Sequence, residues 1–133
     1  MIGRRTPGTV IRQAYFPGRA PIDAYGNIGF RFAGMSHRGS ILCLPSGIYG
    51  WPPTSFQEID RETLARVFDE AAVIDVLLIG AGATPQRLIP ELAGKLRDAR
   101  ISADTMTTGA AVRTFNVLLA EDRQVAAALI AVD

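Results

Sequence analysis

The sequence contains one cysteine, Cys43, and one histidine, His37. A single cysteine cannot form an internal disulfide, on which small secreted domains usually depend, so we expect the cytoplasm or an equivalent reducing space. One histidine and one cysteine without regularly spaced carboxylates also make no cluster of metal ligands. The sequence therefore predicts neither a metal site nor a metal cofactor.

Long apolar runs and an excess of one charge are lacking as well. The longest apolar runs, residues 76–83 and 125–132, have eight residues each, whereas a membrane-spanning helix needs ~20. Lys and Arg number 14 against 13 Asp and Glu, a formal net charge of +1. This balance gives no electrostatic reason to expect nucleic-acid binding. We expect neither membrane insertion nor a nucleic-acid partner.

What is present is enough apolar material for one core, since 48% of the 133 residues are hydrophobic. Positive charge gathers at the amino end. Four arginines precede the first acidic residue: Arg4, Arg5, Arg12 and Arg19. We therefore expect residues 1–21 to be a basic, partly mobile segment and residues 22–133 to form a single α/β domain.

The first half of the domain, residues 22–51, reads as short strands. Phe30 and Phe32 flank Arg31 with the period of two that is typical of strands, and glycine-containing turns interrupt the pattern. We predict an antiparallel meander. His37 lies beside one such turn and is interpreted as a solvated turn residue rather than a general base.

The second half alternates helices and strands. A stripe at Leu64, Val67, Phe68 and Ala71 predicts a helix, with Asp60 placed to cap its amino end. Further helices are predicted from Pro90 and over residues 108–120, between strands at 74–79, 101–106 and 124–132. This spacing indicates right-handed parallel crossovers. The predicted fold class is α/β, a single-domain three-layer β/β/α structure with a mixed sheet.

In parallel sheets ligands bind at the carboxyl ends of the strands. In this sequence those ends are followed by the loop that contains Gly80 and Gly82 and by the helix that starts after Met106. The glycines resemble the opening of a dinucleotide fingerprint, but Pro85 stands at the third glycine position and no Walker lysine follows, so no nucleotide cofactor is predicted. The helix start is a candidate site for a small carboxylate or phosphate. The candidate ligand-binding residues are Gly80, Gly82, Thr107, Thr108, Gly109, Arg113 and Asn116.

Structural explanations compete with this site. The glycines would let the backbone turn sharply off a buried strand, and Arg113 would tie its helix to Asp104, Glu121 or a carbonyl of the β half. Cys43, between two leucines, reads as inert packing because no base is evident beside it. Trp51 and Tyr49 fit core or edge packing better than an exposed platform for a partner. No catalytic residue is predicted.

Several segments together resemble a small α/β family of bacterial and archaeal proteins that includes the mitochondrial assembly factor three of respiratory complex I. The segments, within about residues 22–132, are Gly39-Ser40-Ile41-Leu42, Leu44-Pro45, Trp51-Pro52, Gly80-Ala81-Gly82, the stretch from Met106 to Leu118, and that from Glu121 to Ile130. The resemblance implies a three-layer β/β/α domain without established catalysis or cofactor. It also implies a mitochondrial location if the source is eukaryotic.

The sequence departs from this family at Ala81, Thr107, Val112 and Phe115, where the family usually has Thr, Asp, Cys and Tyr. Arg113, Thr114 and Asn116 are retained. Loss of the aspartate and the cysteine weakens a catalytic interpretation more than a binding one. The leading hypothesis is a non-catalytic protein-binding or assembly-factor-like domain whose partner is a subunit of a membrane complex. The alternative is a small-anion-binding protein or enzyme that uses Thr107 to Gly109 with Arg113.

Overall fold

The computed structural model describes residues 15–133. The prediction of a basic, mobile segment over residues 1–21 therefore falls largely on residues outside the described part. Its last residues are described, and they belong to the fold: Tyr15–Pro17 forms a strand, and Ala20 is buried. A strand of three residues ending in proline has too little alternation to be recognised in a sequence.

The described residues form nine strands, three α-helices and two short 3-10 turns. The strands are β1 (Tyr15–Pro17), β2 (Ile22–Gly26), β3 (Gly29–Phe32), β4 (Met35–Arg38), β5 (Ser40–Leu44), β6 (Gly47–Trp51), β7 (Val76–Gly80), β8 (Ser102–Met106) and β9 (Val125–Leu129). The helices are α1 (Ala65–Asp69), α2 (Pro90–Asp98) and α3 (Thr108–Ala120), and the 3-10 turns are Phe56–Glu58 and Ala71–Val73.

The strands make two sheets. The larger has six strands in the order β1-β6-β5-β9-β7-β8, and the smaller is the antiparallel meander β2-β3-β4. In the larger sheet β7 runs parallel to β8 and β9, whereas β5 runs antiparallel to β6 and β9. The predicted mixed sheet, antiparallel meander and parallel carboxyl-terminal half are confirmed.

Both faces of the six-stranded sheet are covered, because its central strands are apolar on both sides. In β5, Leu42 and Leu44 point to the face covered by α1 and α2. Ile41 and Cys43 point to the opposite face, which the meander and α3 cover. The result is the predicted three-layer domain, with α3 lying in the same layer as the meander.

The prediction that His37 is a solvated residue of a turn is wrong. The residue lies in β4, is half-buried, and pairs with Phe30 across the meander. The expected bend beside it is present at Gly39, with φ 103°, but the chain also makes a hairpin turn before β4 at Ala33 and Gly34, whose φ angles of 51° and 76° are both left-handed. Hairpin turns of this kind usually contain asparagine, aspartate or two glycines, so an alanine at the first position concealed the turn and with it the strand that follows.

The first helix is shorter than its hydrophobic stripe predicts, since the regular α-helical part is only Ala65–Asp69. Asp60 caps the turn that leads into it. Its Oδ1 accepts from the Thr63 N–H at 2.8 Å, while Thr63 Oγ1 accepts from the Asp60 N–H at 2.9 Å. This reciprocal pair satisfies donors that a helix start would leave free.

Candidate functional site

The loops after β7 and β8 lie side by side, as the parallel pairing of these strands requires. The Ala81 N–H donates to the Met106 carbonyl at 2.8 Å, and the Thr108 N–H donates to the Gly82 carbonyl at 2.9 Å. The structure thus brings Gly80, Gly82 and the start of α3 together. It joins them by direct hydrogen bonds instead of leaving an open cleft between them.

Thr108 is the centre of this junction. Its side chain is fully buried, and Oγ1 accepts from the Gly82 N–H at 3.0 Å while donating to the Ile130 carbonyl at 2.7 Å. One hydroxyl therefore satisfies a donor from the β7 loop and an acceptor after β9. The Gly82 N–H, a candidate ligand donor in the sequence, is occupied by the protein itself.

Gly80 is required because the end of β7 packs closely against Thr108 at the start of α3. A Cβ at this position would lie 2.9 Å from Thr108 Cα and 3.0 Å from Leu129 Cδ2, both closer than ordinary contacts. The distance to Thr108 Cα involves backbone, which cannot rotate away. The structural explanation for this glycine, a sharp exit from a buried strand with tight packing, accounts for it without a ligand.

The start of α3 is capped and partly covered. Thr107 Oγ1 accepts from the Ala110 N–H at 3.3 Å, which makes Thr107 the N-cap. At Gly109 an added Cβ would collide with the hydroxyl and ring of Tyr25 from β2. The ring of Tyr25 therefore lies against the first turn of the helix, and Gly109 is the residue that admits it.

Asn116 and Arg113 differ in their surroundings although both lie on α3. Asn116 Oδ1 accepts from the Ile22 N–H at 2.9 Å, and its Nδ2 donates to the Ile22 carbonyl at 2.8 Å. Asn116 thus clamps the helix to β2. Arg113 is exposed, and within residues 15–133 it has no recorded hydrogen bond or ion pair. The structural tie that the sequence offered for Arg113 is not seen in the described residues, and Asn116 joins the helix to the β half instead.

Burial favours the neutral forms of His37 and Cys43. Burial lowers the pKa of His37, and a hydrogen bond with the Ser40 backbone opposes this only in part. Burial raises the pKa of the fully buried Cys43 thiol well above its ordinary value, so the thiolate nucleophile is disfavoured. In the described part of the chain no group of three or more His, Cys, Asp or Glu residues could hold a metal ion.

Trp51 and Tyr49 pack in or beside the core, as expected from the sequence. Trp51 is buried in the core, and its Nε1 donates to the Thr63 carbonyl at 2.6 Å. Tyr49 is half-buried, and the Arg66 guanidinium lies 4.2 Å from its ring centre.

Sequence reasoning missed Ser40, a buried residue whose Oγ accepts from the Ala131 N–H at 2.9 Å. A serine at the start of an apolar strand gives no signal of such a distant partner.

Three comparisons place this arrangement among known proteins. A crystal structure described as an outer membrane protein from Bartonella henselae has a TM-score of 0.86 and 64% sequence identity, over 89% of this chain and 99% of that one. The NMR structure of a Rhodopseudomonas palustris protein has a TM-score of 0.80 and 45% identity, over 99% and 93% of the two chains. A Bordetella pertussis structure described as a Mth938-like domain, with a TM-score of 0.73 at 24% identity, shares the fold.

Curated relatives agree. An uncharacterised protein of Rhodobacter capsulatus is 39% identical over 119 residues, which are 90% of this chain and 90% of the relative. The mouse NADH dehydrogenase [ubiquinone] 1 alpha subcomplex assembly factor 3 is 31% identical over 118 residues, 89% of this chain and 64% of that protein. The chain therefore spans less than two thirds of the mouse factor, although it spans nearly all of the bacterial relative.

The fold is a single-domain α/β fold of three layers, shared with the structure described as a Mth938-like domain. Residues 22–130 match the model of the family described as "Protein of unknown function (DUF498/DUF598)". The chain belongs to this family, and the resemblance noted in the sequence is confirmed. Among the described residues no helix is long and apolar enough to cross a membrane.

Proposed function

We propose that this chain is a non-catalytic, protein-binding assembly factor that acts on subunits of an NADH dehydrogenase complex. The observation that carries the proposal is the 31% identity to a protein named as an assembly factor for that enzyme, extending over 89% of the present chain. The zebrafish protein of the same name is 32% identical over 96% of this chain and 72% of its own length.

The geometry around Thr108 supports a binding role over catalysis. The polar groups that converge there bond to one another, since the Thr108 hydroxyl accepts from the Gly82 N–H at 3.0 Å and the Thr108 N–H donates to the Gly82 carbonyl at 2.9 Å. Such a junction makes the domain rigid at the end of its parallel strands. A rigid scaffold preorganises a protein-binding surface because little conformational entropy is lost on association.

Deleting the gene in its source organism tests the proposal directly. We expect the amount of fully assembled NADH dehydrogenase complex, measured on native gels, to fall severalfold while transcripts of its subunits are unchanged, and the intact gene to restore it. A chain with His37→Gln and Cys43→Ala should restore assembly equally well, since neither side chain serves in chemistry. Normal assembly in the deletion strain would show that the proposal is wrong.

A second candidate function, binding of a small carboxylate or phosphate beside Arg113, is favoured by one observation. The guanidinium of Arg113 is exposed and has no carboxylate partner in the described part of the chain, one turn from the capped start of α3. A phosphate and carboxylate panel should then raise the melting temperature of the intact chain, and Arg113→Ala should abolish that rise while Arg31→Ala does not. If no member of the panel stabilises the intact chain, this candidate fails.

A further inference from the structure

Among residues 15–133 no strand pairs with the outer edge of the six-stranded sheet at β8. β8 is the last strand in the sheet order, and its recorded partner is β7. The other edge strand, β1, has only three residues, whereas β8 has five. A five-residue edge is long enough to take a further strand by backbone hydrogen bonding.

The hydrogen bonds to the β7 side show which backbone groups of β8 face outward. The Ser102 N–H donates to the Asp75 carbonyl at 2.9 Å, and the Met106 carbonyl accepts from the Ala81 N–H at 2.8 Å. Because backbone groups alternate in direction along a strand, Ala103 and Thr105 turn their N–H and C=O groups away from β7. Within the described residues these outward groups have no recorded backbone partner.

A groove of about 450 Å³ runs beside this edge, between β8 and α2. Leu88 and Ala93, which are apolar and half-buried, line it together with the two arginines Arg97 and Arg100. Both arginines are exposed, and the ion pair recorded in the described chain joins Arg19 to Asp122 instead. The groove therefore offers an apolar floor and two cations that no carboxylate of residues 15–133 neutralises.

The opposite face of the same edge has the opposite charge. Asp104 is exposed, and it alternates with Ala103 and Thr105, so its side chain points to the α3 side of the sheet. A strand added at β8 would meet arginines on one face and a carboxylate on the other. Charge complementarity then requires acidic residues at alternate positions of that strand, with neutral or basic residues between them.

We infer that the β8 edge and its arginine-lined groove bind an extended segment of a partner protein, which adds a strand to the sheet and presents acidic side chains to Arg97 and Arg100. This inference rests on the proposed protein-binding function and specifies its surface and the chemistry of its partner. Residues 1–14 of the chain contain Arg4, Arg5 and Arg12 and no acidic residue. Their charge does not complement the groove.

A display library of random seven-residue segments, selected against the full chain, tests the inference. Enriched segments should carry Asp or Glu at alternate positions, and the best one, made as a labelled peptide, should bind the chain in fluorescence anisotropy. Charge reversal by Arg97→Glu with Arg100→Glu should weaken its binding at least tenfold, because charge-assisted hydrogen bonds are lost. The matched control is Arg31→Glu with Arg38→Glu, two exposed arginines on the meander, which should change binding less than twofold.

Backbone pairing has its own test. Ala103→Pro removes an outward N–H without touching a bond to β7, so it should weaken binding at least tenfold in a folded chain. A peptide methylated at alternate backbone nitrogens tests the same pairing without altering the protein, and one of its two methylation patterns should lose binding. Enrichment without acidic residues, no enrichment over a protein-free control, or binding insensitive to these changes would overturn the inference, as would a β8-dependent dimer in sedimentation equilibrium.

Rescue of the deletion strain separates the two proposals. If the intact gene restores assembly and the Arg97→Glu, Arg100→Glu gene does not, both stand. If both genes restore assembly equally, the chain is an assembly factor that does not use this edge. If deletion causes no assembly defect, the proposed function is wrong, whatever the peptides show.

Discussion

At the scale of single residues, the junction at the ends of β7 and β9 depends on one hydroxyl. Replacing Thr108 with valine keeps its shape but leaves the Gly82 N–H and the Ile130 carbonyl without a partner in a fully buried place. Each buried unsatisfied group costs about 1–3 kcal/mol, so we expect Thr108→Val to lower the free energy of unfolding by about 2–4 kcal/mol. Urea denaturation followed by circular dichroism measures it.

Thr114 provides the matched control, because it is a half-buried threonine of the same helix. Within residues 15–133 its side chain has no recorded hydrogen bond. Thr114→Val should change the free energy of unfolding by less than about 0.5 kcal/mol. Equal losses for the two variants would mean that helix propensity, and not the buried junction, explains the effect.

His37 makes stability depend on pH. Its pKa in the folded chain is below the value of 6.5 found in unfolded peptides, because burial disfavours the charged ring. As the pH falls, the unfolded state therefore binds a proton before the folded state does. The stability contributed by neutral His37 is complete above the unfolded pKa and is lost as the pH falls below that value. We expect the free energy of unfolding to decrease between about pH 7.5 and pH 5.5.

The variant His37→Gln isolates this contribution. The difference in unfolding free energy between the intact chain and the variant should be constant above about pH 7.5 and should shift in favour of the variant as the pH falls. Carboxylates contribute equally to both proteins and cancel in this difference. Parallel pH profiles for the two proteins would contradict the assignment to His37.

At the scale of elements, Asn116 holds α3 to the meander through both backbone groups of Ile22. Asn116→Leu keeps the approximate size of the side chain but removes both its acceptor and its donor, so the Ile22 N–H and the Ile22 carbonyl both lose their side-chain partner. We expect a loss of about 1–3 kcal/mol and much faster hydrogen exchange at the Ile22 amide, measured by NMR. Val117→Asp, one position further on the exposed side of the helix, should leave that amide protected.

The elements that could be predicted from the sequence are those with a long enough pattern. Helix α3 has apolar residues at helical spacing, and strands β5 and β7 are continuous apolar runs bounded by glycine or proline. The predicted bounds of α3 agree with the observed Thr108–Ala120. Strands β1 and β4 could not be predicted. One is three residues long, and the other follows a turn whose alanine has a left-handed φ of 51°.

The candidate site could be predicted only in its location. Parallel pairing of β7 and β8 brings their carboxyl ends together in any such sheet, so the neighbourhood of Gly82 and Thr108 followed from the order of elements. The hydrogen bonds within it did not follow from that order, because the second partner of the Thr108 hydroxyl is the carbonyl of Ile130, which comes directly after β9, the last strand of the chain. Whether a hydroxyl faces a ligand or a backbone group depends on distances that a linear pattern does not contain.

At the scale of the whole molecule, one sheet supplies both cores. Trp51 lies in the core beneath α1 and α2, and Phe32 lies in the core beneath the meander and α3. Strands β5, β7 and β9 contribute alternate residues to each core. Unfolding of one core therefore disrupts strands that also form the other. This sharing implies that the two faces unfold in one cooperative step.

Phe32→Leu tests the cooperativity because it perturbs only the meander side, at a residue whose side chain is fully buried. We expect a loss of about 1–1.5 kcal/mol. The urea midpoint of Trp51 fluorescence, which reports the opposite face, should shift by the same amount as the midpoint of circular dichroism, because Trp51 is the single tryptophan and every strand between the cores is shared. If the fluorescence midpoint stays in place while the dichroism transition divides into two steps, the meander unfolds by itself, and the sheet does not couple its two faces.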